Sequence, residues 1–160
     1  MMNSRNISQL VAVCGLVTMS MTACHPALRG EASLSIDEQG APLIGVCHEM
    51  SVTEARITVR DKDDELLARV RGFGHQVIKE GDFLRVTSGS GGIVFDSFDK
   101  AVLAPGNLVN VYVYETPGES GETVSASLWI PEEGLKEGVW LFADGSTWDS
   151  ACGAYDAQRR

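Results

Sequence analysis

Apolar and polar residues alternate with a period of two along most of the chain after residue 31, the pattern of strands that bury one face. Residues 33–37 read Ser-Leu-Ser-Ile-Asp, and residues 56–60 read Arg-Ile-Thr-Val-Arg. The run Asp-Lys-Asp-Asp at 61–64 then precedes a second alternating segment at 66–71. A polar turn between two alternating segments predicts a β-hairpin.

Further strands are predicted wherever similar segments are bounded by Gly, Pro, Asn or Ser. They fall at 42–47, 83–87, 92–98, 108–115, 123–130 and 138–143, which gives eight or nine short strands in all. Residues 51–54 match a capping box, but the β-branched alternation after them favours a strand entry. At most one helical turn is expected, at 131–138. The pattern therefore predicts an all-β fold, an antiparallel β-sandwich that is immunoglobulin-like in the broad sense, with a small β-barrel as the alternative.

The first 23 residues have the order of a secretory signal peptide. Arg5 precedes a largely apolar, uncharged stretch at 7–21, and the sequence Met-Thr-Ala then leads directly to Cys24. This junction resembles the lipobox of bacterial lipoproteins, in which the cysteine becomes the lipid-bearing first residue. The resemblance implies lipidation at Cys24 and an extracytoplasmic protein held on a membrane by its acyl chains. An ordinary secreted protein with a cysteine near its new terminus is the alternative.

Cleavage before Cys24 predicts a tether at 24–31, one β domain at 32–153 and a C-terminal tail at 154–160. Removal of residues 1–23 leaves 12 basic and 22 acidic residues, a net charge of −10. Nucleic acid is therefore not expected as a partner, because binding its backbone needs clustered Lys and Arg. The same charge disfavours electrostatic attachment to anionic lipids, so the membrane is expected to be contacted through the lipid anchor.

Two cysteines, Cys47 and Cys152, remain besides Cys24 after the leader is removed. An oxidising exterior favours a disulfide between them. The bridge would close about 105 residues and contribute roughly 4–5 kcal/mol in the chain-entropy model. Two separate buried thiols are the alternative, because pairing requires Cα atoms within roughly 4.4–6.8 Å.

Two short motifs suggest chemistry. Residues 97–100 read Ser-Phe-Asp-Lys, the Ser-x-x-Lys of penicillin-recognising enzymes, but the partner motifs are missing and the segment is predicted as strand and turn. The glycine-rich residues 88–92 lack the Gly-Lys-Ser or Gly-Lys-Thr of a phosphate loop. They are similar to a Ser/Gly loop of lipid-anchored lysozyme inhibitors, which implies an alternative function as inhibitor of a basic hydrolase such as lysozyme. An acidic domain would complement such a partner.

Metal chemistry has weak support. The carboxylates at 61–65 could hold Ca²⁺, but they lack the EF-hand spacing and fit a solvated turn better. His48 and His75 are isolated in the sequence, so no zinc site is predicted. No cofactor, metal site or catalytic residue is therefore assigned, although an envelope hydrolase or metal-binding domain built from distant residues stays an alternative.

Aromatic residues indicate a possible contact surface. Trp140 lies among apolar neighbours, and both Trp140 and Trp148 are predicted to fill the core near the second cysteine of the domain. Trp129 lies in the polar phase of its strand, and Tyr112 and Tyr114 share the phase opposite three valines. One sheet face would then carry Trp129, Tyr112 and Tyr114, a set suited to protein or sugar contact. Aromatics that cover an edge or lie under a loop are the alternative.

Four scattered segments extend the comparison beyond the leader. They are Pro-Leu-Ile-Gly-Val-Cys at 42–47, Leu-Ala-Pro-Gly at 103–106, Leu-Lys-Glu-Gly at 135–138 and the late Cys152. Together they resemble small envelope lipoproteins of actinobacteria, and the resemblance implies a shared fold rather than an activity. The sequence as a whole thus predicts a lipid-anchored envelope β domain, a non-enzymatic module that binds an envelope protein or a glycan.

Overall fold

A computed structural model of the chain describes residues 32–88, 91–115 and 123–158. Its strands are β1 (Ala32–Ile36), β2 (Pro42–Val46), β3 (Met50–Arg60), β4 (Leu66–Ile78), β5 (Phe83–Arg85), β6 (Ile93–Phe95), β7 (Leu108–Tyr114), β8 (Thr123–Trp129), β9 (Trp140–Leu141) and β10 (Thr147–Trp148). A 3₁₀ helix, Lys100–Val102, precedes β7, and a six-residue helix, α1 (Gly153–Gln158), follows β10.

The strands form two five-stranded antiparallel sheets that pack face to face. The first sheet has the order β10-β9-β1-β2-β5, and the second has the order β6-β4-β3-β7-β8. The predicted all-β antiparallel sandwich is thereby confirmed, rather than the barrel alternative. Within the described ranges, no helix is long and apolar enough to cross a membrane.

The hairpin predicted around residues 61–64 is confirmed as β3 and β4, the two longest strands. The Asp61 carboxylate accepts the backbone N–H groups of Asp63 and Glu65, each at 2.9 Å. Asp64 has the left-handed φ of 65°, a conformation that Asp tolerates better than most residues. The aspartates thus build the turn.

The main core lies between the sheets and is made by one phase of each alternating strand. The inward side chains are mostly β-branched or leucine, which pack well on a pleated surface. Fully buried members include Leu34 and Ile44 from the first sheet and Ile57, Val111 and Leu128 from the second. The period-two pattern therefore reports which side of each strand is buried.

The centre of the outer face of the first sheet is also buried, because the C-terminal segment lies across it, whereas Phe83 and Trp148 nearer its edges stay partly exposed. Ser33 points outward from β1 yet is fully buried, and its Oγ donates a 2.7 Å hydrogen bond to the Ala151 carbonyl. At Gly45, a Cβ would lie only 2.8 Å from the Ala151 Cβ, so only glycine fits beneath this segment. A second apolar cluster forms here from Leu43, Cys47, Trp140, Phe142, Ala151, Cys152 and Ala154.

A disulfide joins Cys47, just after β2, to Cys152, just before α1. The Cα atoms are 5.2 Å apart, inside the range that a disulfide requires. Both residues are buried within the second cluster. The predicted pairing is confirmed, and the bridge fastens the C-terminal segment to the first sheet.

The C-terminal region differs most from the sequence expectations. Trp148 is 38% exposed on β10, so the prediction that it fills the core is wrong, whereas Trp140 is buried as predicted. Trp148 on β10 pairs with Trp140 on β9. Because β10 is the last strand of its sheet, Trp148 stays partly uncovered. Its Nε1 donates to Ser146 Oγ at 3.1 Å. Hydrogen bonds from the Ser146 hydroxyl and N–H also lower the pKa of Asp144 in the same turn.

Several element boundaries also differ. Strands expected at 92–98 and 138–143 are only Ile93–Phe95 and Trp140–Leu141. Residues 131–138 form turns rather than a helical turn. Helix Gly153–Gln158 lies across the expected boundary between domain and tail, and Ala154 packs in the second cluster.

Replacing both bridge cysteines, Cys47→Ser with Cys152→Ser, should lower the free energy of unfolding by about 4–5 kcal/mol. Without the bridge the unfolded chain gains conformational entropy, because no covalent loop constrains it. Urea unfolding measures this. Reductant should destabilise the wild type to a similar extent and leave the double variant unchanged. Equal midpoints for the oxidised wild type and the double variant would contradict the role given to the bridge.

Candidate functional site

The second sheet, unlike the first, keeps its outer side chains open to solvent over much of its area. Of the predicted aromatic residues, Trp129 is 56% exposed and Tyr112 is 37% exposed on this side. Tyr114 is 8% exposed, so it supports the surface from below rather than presenting a free ring. We call the outward side chains of β3, β4, β7 and β8 the open face.

The strand register arranges the open face in four rows that run from β4 across to β8. In that strand order, the rows are Phe73, Glu54, Tyr114, Thr123; Arg71, Arg56, Tyr112, Ser125; Arg69, Thr58, Asn110, Ser127; and Leu66, Arg60, Leu108, Trp129. Neighbouring strands lie about 4.8 Å apart, and like-facing residues of one strand about 6.8 Å apart. The open face therefore measures about 15 by 20 Å.

Arginine dominates the charge of this surface. Four of the five arginines in the described ranges, Arg56, Arg60, Arg69 and Arg71, occupy it. The fifth, Arg85, belongs to the first sheet and pairs with Asp37 at 2.6 Å. A chain that is acidic overall thus presents a cationic sheet face.

Glu54 is the one acidic side chain among the outward positions of the described open-face strands, and it is buried. Its Oε1 lies 2.5 Å from Arg56 Nε and 3.9 Å from Arg71 Nε. A β-bulge between Val52 and Glu54 turns the carboxylate to the outer side. Burying the carboxylate is tolerated because these guanidinium groups balance its charge.

Arg56 also contacts one of the aromatic rings, that of Tyr114. The Arg56 guanidinium carbon lies 4.7 Å from the centroid of the Tyr114 ring, a cation–π contact. Tyr112 and Tyr114 stack with centroids 6.4 Å apart and planes at 15°. Glu54, Arg56 and Tyr114 thus form a fixed support beneath the more exposed Tyr112.

The third row contains two residues that hydrogen-bond to each other, Asn110 and Ser127. The Ser127 hydroxyl donates to Asn110 Oδ1 at 2.7 Å. This bond leaves both amide N–H groups of Asn110 as donors for a ligand. A flat surface with arginine, amide, hydroxyl and aromatic groups can recognise a polar ligand by hydrogen bonding and stacking.

The other sequence motifs have structural roles or lie apart from the open face. Lys100 Nζ donates to the Gln39 carbonyl at 2.7 Å, and Asp99 caps the 3₁₀ helix, so residues 97–100 do not start an α-helix that could aim a serine. In the glycine-rich loop, residues 89 and 90 fall outside the described ranges. Cys24, the leader at 1–23 and the tether at 24–31 lie outside them too.

The described residues contain no group of three or more His, Cys, Asp or Glu side chains arranged to hold a metal ion. A depression of about 390 Å³ does lie beside α1, where Trp148, Asp149 and Asp156 line it. Its two carboxylates are exposed and have no nucleophile paired with a base among the other lining residues. It offers no catalytic arrangement of a recognised kind.

Comparisons of the chain with protein-family models, with curated proteins and with solved structures found no match. The arguments for function therefore depend on the geometry of the open face and on the sequence motifs.

Sequence reasoning identified the three aromatic residues but missed the arginines and Glu54. The signal was present, because the alternation already placed Arg56 and Arg60 on the polar side of one predicted strand and Arg69 and Arg71 on that of the next. What was missing was the register, which brings the two strands' polar sides together on one surface.

The change Glu54→Gln should lower the free energy of unfolding by about 1–3 kcal/mol, because it removes the buried charge that accepts a hydrogen bond from Arg56 and forms an ion pair with Arg71. Chemical denaturation measures the loss. Glu65→Gln, a charge-matched change at an exposed turn position, should have almost no effect. Equal stabilities of the two variants would show that the Glu54 ion pairs do not support the open face.

Proposed function

We propose that this protein is a lipid-anchored cell-envelope protein whose β domain binds a ligand or partner through the open face and performs no catalysis. The observation that carries the proposal is the asymmetry of the sandwich. The centre of one outer sheet face is covered by the chain's own C-terminal segment, whereas the other sheet exposes Trp129, Tyr112 and four arginines across its strands.

The composition of the open face supports binding. Tryptophan, tyrosine and arginine are the residues most enriched among those that carry binding energy at interfaces. Exposing Trp129 costs the domain the free energy that burial of its ring would contribute. A binding function would account for an exposed aromatic beside fixed guanidinium groups.

The disulfide and the leader support an extracytoplasmic location. Structural disulfides persist in oxidising compartments and are rare in the cytosol. The leader resembles that of bacterial lipoproteins, in which two acyl chains provide stable anchoring where one chain does not. The proposed location is thus the outer side of a membrane, with the domain held close to the lipid surface by a tether of eight residues at most.

Export and lipidation are tested by Cys24→Ala, which removes the proposed acyl attachment site. The variant should carry no fatty acid, and once its apolar leader is removed it should move from the membrane fraction to the soluble fraction, because the acyl chains are the proposed anchor of the mature chain. Fractionation and immunoblotting measure the shift, with mass spectrometry of the amino terminus of both proteins as the companion measurement. Tight membrane retention of the leader-free variant would refute the anchor.

Binding through the open face is tested by a photo-crosslinking amino acid placed at position 127, which lies in its third row. Live cells should show a crosslinked product from this position and none from position 144, an exposed site in the β9–β10 turn. Adding Trp129→Ala should reduce the product by about tenfold, the effect of losing an exposed aromatic contact. Equal capture from both positions would refute the open face as the binding surface.

A further inference from the structure

The charge of the described domain is divided unequally between its surfaces. The sequence holds 22 acidic against 13 basic residues. The outward positions of β3, β4, β7 and β8 nevertheless carry four arginines, and their only acidic residue is the buried Glu54. Because surface charges act mainly within a Debye length of about 8–10 Å, a ligand on this surface experiences the local charge. The net charge of the whole chain therefore does not describe what the open face attracts.

Two of the four arginines are available to a ligand without breaking a strong internal pair. Arg69 is exposed and has no ion-pair or hydrogen-bond partner for its side chain within the described ranges. Arg71 is 48% exposed, and its Nε lies 3.9 Å from Glu54, too far for a hydrogen bond. The two lie about 6.8 Å apart along β4 and face the same way.

We propose that the open face binds a linear polysaccharide that carries carboxylate groups. This inference rests on the proposed binding function and names its ligand class. Guanidinium groups form bidentate hydrogen bonds with carboxylate and phosphate, which assigns the anionic groups to Arg69 and Arg71. Asn110, Ser125 and Ser127 supply donors and acceptors for sugar hydroxyls, and Tyr112 and Trp129 supply rings for stacking.

The margins of the open face favour an extended chain over a broad anionic surface. Asp64 lies at the hairpin end and pairs with Arg60 at 3.3 Å. Asp96 follows β6, and its backbone N–H donates to the Arg71 carbonyl at 2.9 Å, which places this acid at the β4 side. A narrow polymer can contact the arginines between these acids. A planar anionic bilayer would also come within a Debye length of the acids and would be repelled by them.

The test uses the full chain with the bridge formed. The probes are polygalacturonate, its fully methyl-esterified uncharged form, and vesicles of phosphatidylglycerol or phosphatidylcholine. Calorimetric titration should show binding to polygalacturonate that weakens as salt rises, with no binding to the esterified polymer. This pair of polymers shares one backbone and differs in whether each carboxyl group is a charged carboxylate or an uncharged methyl ester.

The variant Arg69→Gln with Arg71→Gln should weaken polygalacturonate binding roughly tenfold or more, the loss expected for a charge-assisted hydrogen bond. Arg69→Gln alone should weaken it in the same direction, and it breaks no internal ion pair that could affect folding. Lys79→Gln, which removes one exposed charge beyond the end of β4, should leave binding unchanged. Thermal unfolding of each variant establishes that the domain is folded.

Each other outcome overturns the inference in a distinguishable way. Equal binding of the charged and esterified polymers, lost with Trp129→Ala, would refute the role of charge and keep the proposed binding function. Binding only to phosphatidylglycerol vesicles would identify a membrane surface instead. Binding to none of the probes would refute the anionic ligand, and the crosslinking at position 127 would then decide the proposed function separately.

Discussion

The attachment of the C-terminal segment to the first sheet is the constraint on which the rest of the structure depends. Cys47 and Cys152 fix this segment, and Ser33 and Gly45 provide the surface on which it lies. With the centre of one outer face covered by the chain itself, the open face is the broader of the two exposed sheet surfaces in the described ranges. The disulfide therefore helps to determine which sheet face stays exposed, although it lies on the opposite side.

The open face is rigid because its charged and aromatic groups support one another. Glu54 sits under Arg56, and Arg56 in turn covers the Tyr114 ring. Each contact restricts a side chain that would otherwise sample several rotamers, so a ligand would lose less free energy in ordering the surface. The less constrained groups, Arg69 and Trp129, lie toward the two sides of this support, on β4 and β8.

Alternation in the sequence was enough to predict the sandwich, because burial of one side of each strand imposes a period of two. It predicted the β3–β4 hairpin and the outward phase of Trp129 for the same reason. It failed for Trp148, because the pattern within one segment does not reveal that β10 ends its sheet. It also missed Glu54, since only a bulge and the register across β3 and β4 show that this carboxylate is buried between arginines.

The sheet order also has a consequence for assembly. The β3–β4 hairpin joins residues close in sequence, whereas β1 pairs with β9 through Leu34 and Leu141. Contacts between distant residues form more slowly because a long loop must close first. The hairpin that carries all four arginines can thus form early and independently, while the first sheet is completed only when the two ends of the domain meet.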